Sequence, residues 1–113
     1  MDKNQEIQQL RIAEHHFRTG NIDIAEKLAK LILKSNPRCS KANELLAYMA
    51  GNRGDVNSAY GLLLRAASEK DCSAEAHYYL GSIHLRRKEF LDAVPPLRNS
   101  LKIAGDFFAG LTI

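Results

Sequence analysis

The chain of 113 residues is 45% hydrophobic and 26% charged, the balance of one globular domain rather than of a disordered or fibrous chain. Its formal net charge of +3 and pI near 9.0 permit acidic partners without specifying one. Charges alternate in sign along the chain with no basic block, which argues against nucleic acid as the ligand.

No apolar run reaches the roughly eighteen residues that a membrane span needs, so no membrane contact is expected. The opening segment MDKNQEIQQL is polar and lacks the apolar core of a secretion signal, so the expected location is cytoplasmic. Cys39 and Cys72 have no CxxC or Cys/His spacing around them, which fits a reducing compartment.

From Glu6 onward the chain repeats itself every thirty-four residues, with units over about 6–39, 40–73 and 74–107. The whole of 1–113 reads as one domain, with 108–113 as the start of a truncated fourth unit or a tail. In the first unit, Ile12-Ala13 lies on one helical stretch, and a second stretch carries Ile22 three residues before Ala25 and stops at Pro37. The turn between them, RTGN, puts Gly20 at a helix end and Asn21 at the next helix start. The second unit repeats this with Leu46-Ala47, the turn NRGD, Val56 and Ala59, and stops near Asp71. The third has Leu80-Gly81, Phe90 and Ala93, and its expected stop is Gly105.

Small residues at these points let neighbouring helices approach closely while the bulky ones fill the space beside them. In the third turn, RRKE, Lys88 stands where the others have glycine, which predicts a strained or more open turn. Pro95-Pro96 is expected near the start of a helix, where the missing N–H groups cost least, with a slight opening and no break. No segment alternates with a strand's period, so the class is all-α.

A helix pair cannot bury both its faces alone, and pairs stacked at a fixed period make a solenoid. On Ala13, Gly20, Ala25 and Pro37, then Ala47, Gly54 and Ala59, then Gly81, Phe90 and Ala93, the chain resembles the tetratricopeptide repeat family. The resemblance implies a right-handed α-solenoid of three helix-turn-helix repeats plus a short C-terminal stub. It departs from the family pattern where Gln9, Asn43 and His77 replace a tryptophan, and where His16, Ala50 and His84 replace a tyrosine. Ala29 also takes a usual aromatic site.

The histidines, His15, His16, His77 and His84, are the residues most able to carry chemistry. No carboxylate or cysteine joins them at ligand spacing, and no phosphate loop, HExxH or GxSxG motif occurs. No enzyme activity, catalytic residue, metal or cofactor is therefore expected, and His16 and His84 read as packing residues in place of tyrosine.

What the resemblance implies instead is a concave groove that holds a partner peptide or helix. On this chain the matching positions are Ile7, Leu10, Glu14, Phe17 and Arg18; Lys41, Glu44, Tyr48 and Asn52; and Glu75, Tyr78, Ser82, Leu85 and Arg86. Aromatic and Arg residues of this kind dominate the energetic centres of interfaces. Leu10, Glu14, Leu45, Glu75 and Tyr79 stand where co-chaperones of the family carry a basic clamp for acidic chaperone tails, so that specialisation is rejected.

The expected role is a scaffold or adaptor for a protein partner. The alternatives are an N-terminal targeting or regulatory segment of a larger enzyme, such as a glycosyltransferase or sulfotransferase, and, further off, an RNA-binding helical repeat. Leu97, Leu101, Phe107, Phe108 and Leu111 form a further apolar edge, expected to join two copies as a homodimer.

Overall fold

The computed structural model describes residues 1–111, and side chains over 1–106. It contains six helices: α1 (Lys3–Arg18), α2 (Ile22–Ser35), α3 (Ser40–Asn52), α4 (Val56–Ala67), α5 (Ala74–Arg86) and α6 (Phe90–Leu111). Successive helices pack as hairpins, α1 on α2, α3 on α4 and α5 on α6, and the hairpins stack through α2 on α3 and α4 on α5. Contacts between α1 and α3 bring the first helices of neighbouring hairpins together. Among the described residues there is no strand.

The chemistry of the turns explains where the helices stop. Gly20 and Gly54 have φ of 88° and 82°, left-handed values that glycine adopts at no steric cost. Lys88 takes the same conformation at φ 61° with a Cβ to accommodate, which is the strain its position predicts. Asp2, Asp55 and Ser73 each accept a backbone N–H of the following helix. Asn21 occupies the start of α2 without capping it, because its amide turns back to His16 Nδ1 at 3.2 Å.

Ala25, Ala59 and Ala93 are 0–1% exposed, and Ala13, Ala47 and Gly81 on the first helices of the hairpins are buried as well. A Cβ on Gly81 would lie 2.6 Å from Leu97 Cδ2, so the third hairpin closes by fitting Leu97 against a residue with no side chain. The bulky partners differ along the stack. Leu46 and Leu80 are buried, yet Ile12 is 39% exposed, since no described helix packs behind α1. At the other end Ile22 and Val56 are covered by the next hairpin, whereas Phe90 on α6 is 62% exposed.

Three expectations about the last unit need correction. Helix α6 does not stop at Gly105 but continues to Leu111, so residues 108–111 extend it rather than open a new helix or a stub. Pro95 and Pro96 lie beyond its first turn, as its sixth and seventh residues, and the helix runs through them. The carbonyls that lose an amide partner belong to Leu91 and Asp92, both on exposed residues where water can replace it. Leu97 turns inward onto Gly81, so it closes the hairpin and is no edge residue; Leu101 is 75% exposed. The side chains of Phe107, Phe108 and Leu111 fall outside the described residues.

Two buried groups link stability to pH. Glu6 accepts Asn36 Nδ2 at 2.8 Å and Lys3 Nζ at 3.1 Å, and the Asn36 bond, aided by Lys3, holds its carboxyl below the usual range. Burial pushes the His77 imidazole down. Both folded-state values are depressed, so both contributions are complete at high pH and are lost on acidification. Below about pH 6.5 the unfolded chain binds a proton at His77 that the folded chain resists; below about 4.3 the same begins at Glu6. Urea midpoints near pH 7.5, 5.5 and 3.5 should therefore fall in two steps. His77→Leu should remove the first step and Glu6→Gln the second; equal midpoints at the two higher pH values would contradict the role given to His77.

Candidate binding face on the first helices

A row of three rings crosses α1, α3 and α5. Phe17 and Tyr48 have centroids 6.5 Å apart, and Tyr48 and Tyr79 stack at 6.0 Å with only 14° between their planes. All three rings are half-buried. The step is thirty-one residues, one repeat less about one helical turn, so the row runs obliquely over the stack. Gly51 makes this geometry feasible: it stands at the register of Phe17, and a Cβ there would collide with the Tyr79 hydroxyl.

Beside Tyr48 lies a cavity of about 260 Å³ lined by Glu14 of α1, Lys41, Glu44, Leu45 and Tyr48 of α3, and Ser73 and Glu75 at the start of α5. A larger cavity of about 670 Å³ adjoins it and shares Glu14 and Lys41, with Ile7, Leu10, Arg11 and Asp71 among its walls. Part of that wall is fixed. Arg38 makes two bonds of 3.1 Å to Glu69, clipping the α2–α3 loop to the α4–α5 loop, and Glu6 is held by Asn36 and Lys3. Among the described residues Arg11, Glu14, Lys41 and Asp71 form no ion pair, so the open charges of this face are mixed in sign.

Glu44, Lys41, Tyr48, Glu14 and Glu75 are thus brought together, in differing states. Lys41 and Glu75 are exposed and Glu14 and Tyr48 half-buried. Glu44 is 5% exposed: one oxygen takes the Ser73 hydroxyl, the other the Ser73 N–H at 3.3 Å and the Ser40 hydroxyl at 3.2 Å. It anchors α5 to α3, with both of its oxygens already engaged by Ser40 and Ser73. Leu10 is likewise in the first core. These two positions support the face from beneath and are corrected from contact residues to core.

Arg18, Asn52, Tyr78, Ser82, Leu85 and Arg86 line neither cavity. Tyr78 is 62% and Leu85 43% exposed, while the Ser82 hydroxyl donates back to the Tyr78 carbonyl at 2.9 Å. Tyr79 and Gly51 escaped the sequence reading, which followed the thirty-four-residue register; a search at thirty-one would have found Phe17, Tyr48 and Tyr79 in line.

The chemistry available on this face is recognition. Burial, reinforced by the Glu44 charge, pushes the Tyr48 hydroxyl up to about 12, so at neutral pH it keeps its proton and is a donor at the cavity wall. The same two causes push the Cys72 thiol up to about 11, and burial raises Cys39. Both cysteines are buried and free, and as thiols they are poor nucleophiles.

The histidines are less isolated than their spacing implies. His84, Glu89 and Asp92 bring a nitrogen and two carboxylate oxygens within 4.8 Å of one another, which corrects the expectation that no carboxylate accompanies them. His84 Nδ1 lies 3.1 Å from Glu89, and its ring meets Tyr60 edge-on at 5.3 Å. In the first hairpin His16 and Asn21, at the same registers, make the same contact with a neutral amide. The clasp therefore belongs to hairpin closure, and His84 packs in tyrosine's place.

Three stacked helical hairpins, each with a buried alanine on its second helix, define an all-α helical-repeat solenoid. The tetratricopeptide repeat profile matches residues 10–71, more than half of the chain, and the chain belongs to the tetratricopeptide repeat family. Repeats of this family generally mediate protein–protein interaction. No curated protein shows significant similarity to the chain. Among the described residues, no helix is long and apolar enough to cross a membrane.

Proposed function

We propose that the chain is a three-unit scaffold or adaptor module that holds a segment of a protein partner across α1, α3 and α5. The observation that carries this reading is that these three helices together supply one continuous row of rings and the cavity beside it. Amphipathic rings with restricted rotamers contribute contact area at small entropic cost, and such residues concentrate binding energy. Lys41, Glu75 and Glu14 at the cavity mouth select the register of the bound segment through charge, while Tyr78, Leu85, Arg18, Asn52 and Arg86 extend the contact along the helices.

The test begins with partners captured by the immobilised chain, followed by titration calorimetry with the purified partner. Tyr48→Ala should weaken binding by about 1–2 kcal/mol, since it removes the central ring of the row. Gly51→Ala separates binding from stability. Its methyl displaces Tyr79 and weakens binding, yet the helix itself gains from alanine, by up to about 1 kcal/mol. Unchanged affinity in both variants would refute the proposed face.

A further inference from the structure

His84 at the end of α5 and Glu89 and Asp92 at the start of α6 bring one ring nitrogen and two carboxylate oxygens within 4.8 Å of one another. The turn supplies the proximity: the Glu89 N–H donates to the His84 carbonyl at 2.9 Å, as Asn21 does to His16 and Asp55 to Ala50 in the other hairpins. Residue choice supplies the donors. At these three registers the first hairpin has His16, Asn21 and Ile24 and the second Ala50, Asp55 and Ser58, so only the third offers an imidazole and two carboxylates. Two observations besides the bond between His84 and Glu89 point to a cation. His84 is 8% exposed and its ring meets Tyr60 edge-on at 5.3 Å, so packing aims Nδ1 at the carboxylates. Among the described residues neither carboxylate has a Lys or Arg partner, although Arg86, Arg87 and Lys88 lie beside them in the chain. Arg87 is turned away, with Nη2 on Asn57 Oδ1 at 2.9 Å and its guanidinium over the Tyr60 ring at 4.8 Å. Two carboxylates held this close repel each other, and a bound cation removes the repulsion.

We propose that His84 Nδ1 and one oxygen each from Glu89 and Asp92 bind a divalent transition-metal ion, zinc in the first place, at the turn of the third hairpin. One imidazole nitrogen with two carboxylates suits zinc or cobalt and offers too few oxygens for calcium. Zinc bonds of about 2.0–2.2 Å in a tetrahedron place the donor atoms about 3.3 Å apart. Nδ1 and the Glu89 oxygen already stand at 3.1 Å, and in the free chain a proton lies between them, whose place the ion takes. Asp92 is exposed on the first turn of α6, where rotation of its side chain closes the remaining distance. Water completes the coordination on the open side. Bound there, the ion ties α5 to α6 in the hairpin that no further described hairpin covers.

Zinc titration of the untagged 113-residue chain, first stripped of metal by a chelator, tests the site by calorimetry and by proton–nitrogen correlation spectra. About one equivalent should bind, with shifts centred on residues 84–92, and the melting temperature should rise with zinc concentration. Cobalt in its place should broaden the same signals and give visible absorption bands. Asp92→Asn alters an exposed position outside the His84–Glu89 bond, so its metal-free melting temperature should match the parent while zinc affinity falls at least about tenfold. Glu89→Gln should lose affinity as well, with some loss of stability in the metal-free chain. Residues 84–92 that stay unshifted up to about 1 mM zinc, or shifts centred on His15 and His16 instead, would overturn the proposal. So would an Asp92→Asn variant that binds zinc like the parent.

Discussion

Truncating Leu63 to Ala is expected to cost about 2–5 kcal/mol, the range for deleting buried methyl groups without full collapse of the cavity left behind. Leu63 is 0% exposed and belongs to a cluster with Ala47, Ala66, Cys72, Ala76, Leu80 and Ile83, so it joins α4 to both α3 and α5. Its neighbours are mainly small residues whose backbones already hold the helices close, which leaves little room for the site to shrink. Leu64, the next residue, is 45% exposed and serves as the comparison. Urea denaturation should show Leu64→Ala within about 1 kcal/mol of the parent and Leu63→Ala far below it. Similar losses for both would contradict the packing of the second and third hairpins.

A loss of about 3 kcal/mol is expected for Glu44→Ala, because three hydrogen bonds to one buried carboxylate disappear together. The deleted group caps α5 from a neighbouring hairpin, so the damage should spread to the interface between the hairpins. Ser73 would keep its own bond to the Ala76 N–H, at 3.1 Å, and α5 would keep a weaker cap. Amide exchange should therefore rise at the α4–α5 loop and the first turn of α5 more than within α1 and α2. Glu44→Gln preserves the acceptor oxygen and the side-chain length, and should recover a substantial part of the loss. If Glu44→Ala is as stable as the parent, the carboxylate is no anchor.

Glu44 also shows which parts of this molecule were legible in the sequence. Leu10, Glu44 and Tyr78 share one register, yet the first is a core leucine, the second a buried carboxylate and the third a tyrosine 62% exposed. The period fixed where each residue sits on its helix. What it could not show was the donor that reaches that point from elsewhere, here Ser73, twenty-nine residues away at the next helix start. Alanine and glycine positions were readable because they report close backbone approach and left-handed turns, which depend on local geometry alone.

The ends of the stack were less readable for a different reason. Ile12 and Phe90 fit the repeat pattern as well as Leu46 and Val56 do, but burial requires a neighbouring hairpin, and the pattern is blind to which units have one. Gly105 looked like a stop because glycine often ends a helix; it does so by turning left-handed, and in α6 no such turn occurs. The ring row was hidden because it combines three registers, Phe17, Tyr48 and Tyr79, and depends on Gly51 having no side chain.

Side-chain footprinting by hydroxyl radicals, on the chain alone and saturated with a captured partner, tests the proposed binding face most directly. Phe17, Tyr48 and Tyr79 should lose reactivity on binding, with Tyr78 following them. Tyr60 on α4 and Phe90 on α6 lie away from that face and should react as before. Protection confined to Phe90 and Leu91, with Tyr48 and Tyr79 unchanged, would place the partner on α6 and contradict the account.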